Sequence, residues 1–334
     1  MNNYNINIIV PNIYTMSKIS SPQKQLDNLL KIYLDNVIKY SEQGNLEMEV
    51  RFGTARGMKP IKRQDYDNIV RRLLSAGFQM SETKYLLRMQ NEFIDVKTGL
   101  TKQSNLRTEI SGIGNIADYC KTNQIQNKSG EIKSTFIQKN YLKNDANENI
   151  YPVNFNDFNF RVTLQNEKNL SVSNPIVKGL VNKWTDTKKI FRYTNRNTLT
   201  HNELPVNVDI SIVKESKRKG YNLIPSYLFA DSGVNESGEK YEIEIEVINE
   251  KVGFGTPYST PALLEAAIKK TIKLVLSGLQ STNFPVSYVE QKSILDDYMQ
   301  MLWKDNFKEN TRVFPKNFVG PSSYTLQMKN IAQI

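Results

Sequence analysis

LEMEVRFG (Leu46–Gly53) and YEIEIEV (Tyr241–Val247) set the architecture of the chain. Both alternate strictly, and a period of two belongs to a β-strand, which turns successive side chains to opposite faces. Leu46, Met48, Val50 and Phe52 then share one face of the first strand, and Glu47, Glu49 and Arg51 share the other. In the second, Ile243, Ile245 and Val247 oppose Glu242, Glu244 and Glu246. Glutamate is a poor strand former, and solvated strand faces usually carry threonine, lysine or mixed signs. If the two strands converge, their five glutamates repel one another unless cations sit among them. Two amphipathic strands with merely solvated outer faces are the plainer alternative.

The strands in between supply the opposite sign. Arg107 and Glu109 share a face of SNLRTEI, and Arg161, Thr163, Gln165 and Glu167 share a face of FRVTLQNE. Arg192, Thr194 and Arg196 line up in IFRYTNRN, as do Asp209 and Ser211 in NVDISIV, while the opposite faces are mostly apolar. With YLLRMQNEFIDV and STFIQKNYL, these short runs between Asn, Gly, Asp and Pro fill about Lys84 to Val247 without a convincing long helix. That pattern predicts many antiparallel strands. Helical spacing marks the segment after Ser21-Pro22, about Lys62 to Ala76, Pro261 to Leu279, and about Tyr288 to Trp303. The expected architecture is mainly β with α (α+β): a closed antiparallel eight-stranded barrel, apolar outside under flanking helices, with Glu, Arg and Lys inside. Such a lumen suits a hard cation on carboxylates and a polyphosphate on guanidinium groups. Oxygen-only ligands favour magnesium or manganese over zinc.

Composition narrows the chemistry. Among 334 residues, 44 Lys+Arg against 34 Asp+Glu leave a net charge of +10, which favours a polyanionic partner. One cysteine (Cys120) and one histidine (His201) exclude a disulfide framework, a cysteine zinc site and a histidine-rich metal centre. No segment approaches the roughly 20 apolar residues of a membrane span, and MNNYNINIIVPNIY lacks the basic start of a secretory signal. The expectation is an intracellular protein without a membrane partner. GIGNIA (Gly112–Ala117) formally fits a dinucleotide fingerprint but lacks a preceding parallel strand and a clear following helix. The residue six places after Cys120 is Gln126, where a cysteine phosphatase needs arginine.

Together, the EMEVRFG strand, the basic middle strands and the late EIEIEV strand resemble the triphosphate tunnel metalloenzymes over roughly residues 22 to 280. Within them the resemblance is to the metal-dependent RNA triphosphatases that begin mRNA capping in fungi, protozoa and large DNA viruses. It implies Mg2+ or Mn2+ on Glu47, Glu49 and Glu246, with Asp209, Glu242 and Glu244 around the ion. It further implies that Glu167 or Glu244 orients the attacking water. Arg107, Arg192 and Arg196 would act on the phosphates, with Arg51, Arg161, Lys214 and Ser211 binding substrate. The sequence departs from the family at Thr194, where a lysine is common, and at Asn207, where a basic residue is common.

The activity this resemblance implies is removal of the γ-phosphate of triphosphate-ended RNA, with NTPs as side substrates. Alternatives are a tunnel-fold nucleotide or inorganic polyphosphate hydrolase, and a non-catalytic RNA-binding module of a capping complex. The tail FPKNFVGPSSYTLQMKNI resembles the segment leading into the guanylyltransferase domain of large viral capping enzymes, but no K-x-D-G lysine occurs in the chain. The expected organisation is a tail over 1–20, the triphosphatase domain over 21–305, and a linker over 306–334. Other capping domains or subunits are expected partners, and the cytoplasm (a viral factory or virion, if the source is a virus) the expected location.

Overall fold

The computed structural model describes residues 21–41, 45–53, 60–126, 129–144 and 146–308. The tail over 1–20 and the capping-like segment at the C-terminal end therefore lie outside the described residues. The chain separates into two compact units, Met1–Pro285 and Val286–Ile334.

Among the described residues, eight strands of the first unit form a barrel: β1 (Asn45–Phe52), β2 (Lys84–Ile94), β3 (Leu106–Ser111), β4 (Thr135–Tyr141), β5 (Phe160–Leu170), β6 (Lys189–Thr200), β7 (Val206–Glu215) and β8 (Lys240–Val247). Around the ring they run β1-β5-β4-β3-β2-β6-β7-β8 and back to β1, with every pairing antiparallel. The sheet thus closes on itself, which removes the unpaired edges an open sheet would present. Three short strands, Gln79–Met80, Thr101–Gln103 and Val153–Phe155, extend β6, β2 and β5 at the rims.

The apolar core lies outside this ring. Helices α1 (Pro22–Ser41), α2 (Arg63–Ser75) and α5 (Pro261–Gln280) bury Leu26, Leu30, Tyr33, Ile69, Leu73, Leu264, Ile268 and Val275. They pack on the outer residues of β1, β5, β7 and β8, among them Met48, Val50, Val162, Val208, Ile243 and Ile245. Because the apolar faces are spent on the helices, the polar faces must meet inside. Helices α2 and α5 cross so closely at Gly278 that a Cβ there would stand 2.7 Å from the Ile69 Cα, so only glycine fits. α5 starts with Thr260 as its cap, the hydroxyl accepting from the Leu263 amide at 3.4 Å, and with Pro261 in its first turn.

A second cluster covers the opposite side. Leu87, Met89, Leu106, Ile110, Phe136 and Phe191 pack with α3 (Ile113–Thr122), α4 (Pro175–Asn182), Trp184 and Phe229. One expectation is corrected here, because GIGNIA does open a helix, α3. The strand before it, β3, pairs antiparallel on both sides, so no dinucleotide-binding unit results. Among the described residues no helix is long and apolar enough to cross a membrane. α6 (Tyr288–Trp303) belongs to the second unit and starts at a Ser287 cap accepting from the Glu290 amide at 3.1 Å.

Candidate active site in the barrel lumen

Register brings the charged faces together. Glu49 is the Cα partner of Glu246 and Arg51 of Glu244, across β1 and β8. On the next strand Asp209 faces Glu244 and Ser211 faces Glu242, and beyond it Arg196 faces Ser211 and Arg192 faces Glu215. On the other side of β1, Glu47, Glu49 and Arg51 meet Gln165, Thr163 and Arg161. Lys139 faces Glu167, and Arg88 faces both Arg192 and Glu109. Arg107 shares its face of β3 with Glu109 and completes the ring.

Charge is sorted along the barrel axis. Toward the end where β1 starts and β8 stops lie Glu47, Glu49, Glu246 and Asp209. Toward the other end Arg51, Arg88, Arg107 and Arg192 line a cavity of about 130 Å3. An ion-pair lattice joins the two regions. Glu244 is gripped by Arg51 and by Arg196, the latter at 3.0 Å, and Arg196 also reaches Asp209 at 2.5 Å. Arg192 lies 2.9 Å from Glu215 and also pairs with Glu242, while Arg88 pairs with Glu109. Lys139 bridges Glu47 at 2.5 Å and Glu167 at 3.0 Å. Arg51 Nε stands 2.9 Å from Glu49 without the alignment of a hydrogen bond.

Three lumen groups stand apart from this lattice. Among the described residues Glu246, Arg107 and Arg161 have no ion-pair partner, and the buried Nε of Arg161 has no acceptor. Neither do the buried Thr194 hydroxyl and the Asn207 carbonyl oxygen find a partner, and these are the two positions where the sequence departs from the tunnel pattern. Burial, then repulsion from Glu244, pushes the Glu49 carboxyl up to about 7. Burial, then Glu47 and Asp209, pushes Glu246 up to about 7 as well. Burial works in the same direction on Glu244, but Arg51 and Arg196 outweigh it and hold that group at about 2. Arg107 is pulled below the usual guanidinium range by burial and by Arg88 and Arg51 beside it. Buried acids that repel one another thus lie beside buried arginines that repel one another.

The donor set suits magnesium or manganese, being carboxylate oxygen throughout. As folded, however, no three His, Cys, Asp or Glu side chains among the described residues converge as ligands. Lys139 holds Glu47 and Arg51 attends Glu49, so an ion would have to displace these cations from the carboxylates.

The sequence expectations are met to different degrees. Glu47, Glu49, Glu242, Glu244, Glu246, Arg51, Arg107, Arg161, Glu167, Arg192, Arg196, Asp209 and Ser211 all share the inner face. Lys214 does not. It sits between the inward Val213 and Glu215, and its Nζ donates to the Asn235 carbonyl at 3.3 Å on the exposed side. Sequence reasoning missed Arg88 and Lys139 inside the lumen, and Glu215 and Lys240 at its rim. Cys120 lies half-buried on α3, where burial raises its thiol, and His201 packs on Phe78 at 5.1 Å. Cys120→Ser and His201→Ala are therefore expected to leave any lumen activity within about twofold of wild type.

Stability should follow the acids with a definite sign. Glu49 and Glu246 bind protons more tightly folded than unfolded. Their stabilising contribution is complete below the ordinary carboxylate value of 4.5 and is lost as pH rises toward 7. Glu244, and likewise Glu215, also held at about 2, contribute above 4.5 and lose that contribution as pH falls toward 2. The melting temperature in EDTA should peak between about pH 4 and 5 and decline toward about pH 8. A melting temperature that rises steadily from pH 5 to 8 would contradict the repulsion assigned to the acidic end.

No family model matches the chain, and no curated protein matches it. Among solved structures it is similar to the Pct1 RNA triphosphatase of S. pombe, at 12% identity over 76% of this chain and 92% of that one, with a TM-score of 0.40. The same enzyme in complex with the Spt5 CTD aligns at 11% identity over 76% of this chain and 93% of that one, TM-score 0.38. The PH1012 protein of Pyrococcus horikoshii OT3 aligns at 12% identity over 72% of this chain and 93% of that one, TM-score 0.31. The class defined by the strand pairing itself is a closed antiparallel eight-stranded barrel with a charged lumen and flanking helices.

Proposed function

We propose that the barrel is a metal-dependent phosphohydrolase that removes the γ-phosphate from triphosphate-ended RNA, the first step of mRNA capping, with NTPs as side substrates. The observation that carries this reading is the sorting of charge in one lumen. Mutually repelling carboxylates lie at one end, and four arginines line a cavity at the other. A triphosphate is the common substrate class that needs both within a few ångströms.

Glu47, Glu49 and Glu246 would hold Mg2+ or Mn2+, with Asp209 beside them. Bound there, the ion would neutralise charge on the transferring phosphoryl group and favour in-line attack by water. Arg107 and Arg161, without an ion pair among the described residues, are the groups best able to take phosphate oxygens. Arg51, Arg88 and Arg192 can join them by loosening contacts to Glu244, Glu109 and Glu242. Glu244 stays ionised and serves to hold Arg51 and Arg196 in place, since a carboxylate at about 2 is a poor proton acceptor. Glu167, part-exposed and paired with Lys139 alone among the described residues, is better placed to accept the proton of the attacking water.

The test is phosphate release from γ-labelled triphosphate RNA, ATP and inorganic tripolyphosphate, side by side, in manganese and in magnesium. Orthophosphate is expected from RNA and ATP, and EDTA is expected to abolish it. Full activity in EDTA, or release of pyrophosphate, overturns the proposal. Turnover of tripolyphosphate or ATP without RNA would instead indicate a tunnel enzyme of small polyphosphates.

A further inference from the structure

At the arginine end the barrel has a mouth with its own pocket. Arg51, Phe52 and Gly53 from the end of β1, residues 239–242 from the start of β8, and residues 60–63 leading into α2 enclose about 580 Å3. Arg51 lines both this pocket and the four-arginine cavity, so the two spaces meet at one guanidinium. Glu242 and Lys240 strengthen the join, because Glu242 pairs with Arg192 and Lys240 with Glu215 inside that cavity.

The lining is amphipathic. Phe52 and Ile61 supply apolar wall together with Tyr241, which sits at the rim on the outer face of β8: one side of its ring packs on Tyr66 at 5.5 Å, and its hydroxyl donates to Glu239 at 2.6 Å. Around it stand three cations, Lys62, Arg63 and Lys240. Lys62 and Arg63 are exposed; the Lys62 amide donates to Asp65 at 2.9 Å in the helix cap, while among the described residues its ammonium forms no ion pair. Arg63 meets Asp67 at 3.2 Å across the surface, a contact weak enough to exchange, and its guanidinium also reaches the Tyr241 hydroxyl. The acidic cluster lies at the far end of the lumen. A triphosphate with its terminal phosphate at Glu49 and Glu246 therefore points its nucleoside out through this mouth.

We infer that the mouth pocket is a polynucleotide subsite: Tyr241 takes the first base of the RNA, and Lys62 and Arg63 take the phosphate that follows it. This inference rests on the lumen being a triphosphate site, and it adds what a bare triphosphate does not need. Aromatic stacking with flanking cations is the general means of holding a single strand without reading its sequence. The pocket would thus make the enzyme prefer a chain end over a free nucleotide.

The experiment compares wild type, Lys62→Ala/Arg63→Ala and Tyr241→Ala on a short triphosphate-ended RNA and on inorganic tripolyphosphate. Fluorescence anisotropy of the labelled RNA in EDTA provides a second readout that needs no turnover. Both variants are expected to weaken RNA binding and raise its KM by roughly 10-fold while changing KM for tripolyphosphate by about twofold or less. The surface pair keeps the test sound should Tyr241→Ala fold poorly. Equal effects on both substrates, or unchanged RNA binding in the Lys62→Ala/Arg63→Ala variant, overturn the subsite; unchanged binding would leave the pocket to a protein partner. If wild type hydrolyses neither substrate, the catalytic reading fails by itself. RNA binding in EDTA still decides the pocket, upheld if the variants lose it and overturned if they keep it.

Discussion

Glu49→Gln is expected to remove phosphate release and, in EDTA at about pH 8, to make the protein harder to melt. Glu49 is 7% exposed, pressed against Glu246 in register, and carries a carboxyl lifted to about 7. Removing its charge relieves repulsion in the folded state and leaves Arg51 its stronger partner, Glu244. The gain should reach roughly 1 kcal/mol. Manganese stabilises only by binding the folded state, by RT ln(1 + [L]/Kd), so its effect on the melting temperature should shrink as the affinity falls. Catalysis should fall by on the order of 100- to 1,000-fold, the scale on which a lost electrostatic contact to a transition state is felt. The decisive measurement is a pair of melting curves, with and without manganese, beside phosphate release. An active variant with the wild-type manganese shift would remove Glu49 from the site.

Glu244→Ala should do the opposite to stability. It faces the same lumen one strand away, but both its oxygens are committed, one to Arg51 and one to Arg196. Deleting it leaves Arg196 with Asp209 and Arg51 with only Glu49, a partner that itself resists ionising. Breaking a fully buried pair from one side costs about 3–5 kcal/mol, and the partial exposure of Arg51 sets the expectation at the lower end of that range. Chemical denaturation should show a loss of that size with little change in the slope. A variant within about 1 kcal/mol of wild type would mean that Asp209 and Glu49 absorb both arginines. The two glutamates look alike in sequence, and Arg51 reaches both; Glu244 differs in having Arg196 as well, whereas Glu49 lies among other acids.

That contrast marks how far the sequence could be read. Alternation in β1 and β8 defined the inner face because from Leu46 to Phe52 every odd position is charged and every even one apolar, and from Lys240 to Val247 the reverse. β5, β6 and the first half of β7 followed for the same reason. The reading slipped where both faces are apolar. At Ile212-Val213 the phase is lost, and Lys214 took the inward place that belongs to Glu215. In β2, Leu86 faces the lumen and hides the inward Arg88, while in β4 the inward Ile137 hides Lys139. Partner choice was illegible throughout. Whether Glu244 or Glu246 receives the arginines depends on register between strands nearly the whole barrel apart in sequence.

That separation has a consequence for how the chain comes to be folded. Glu49 and Glu246 are in register although most of the barrel's sequence lies between them. The seam that unites them is therefore among the costliest loops in the molecule to close, and topologies dominated by such contacts fold slowly. On a ribosome, β1 would wait for β8 to be synthesised with its flank open, and β7 would then wait beside it. Until the seam zips, two bare strand edges face the solvent, one carrying LEMEVRF. Alternating acids of this kind oppose the recruitment of a second chain by an open edge. Charges on such an edge are the general means by which an unpaired strand is kept from pairing with another chain, so the glutamates of β1 would serve the chain before the barrel exists.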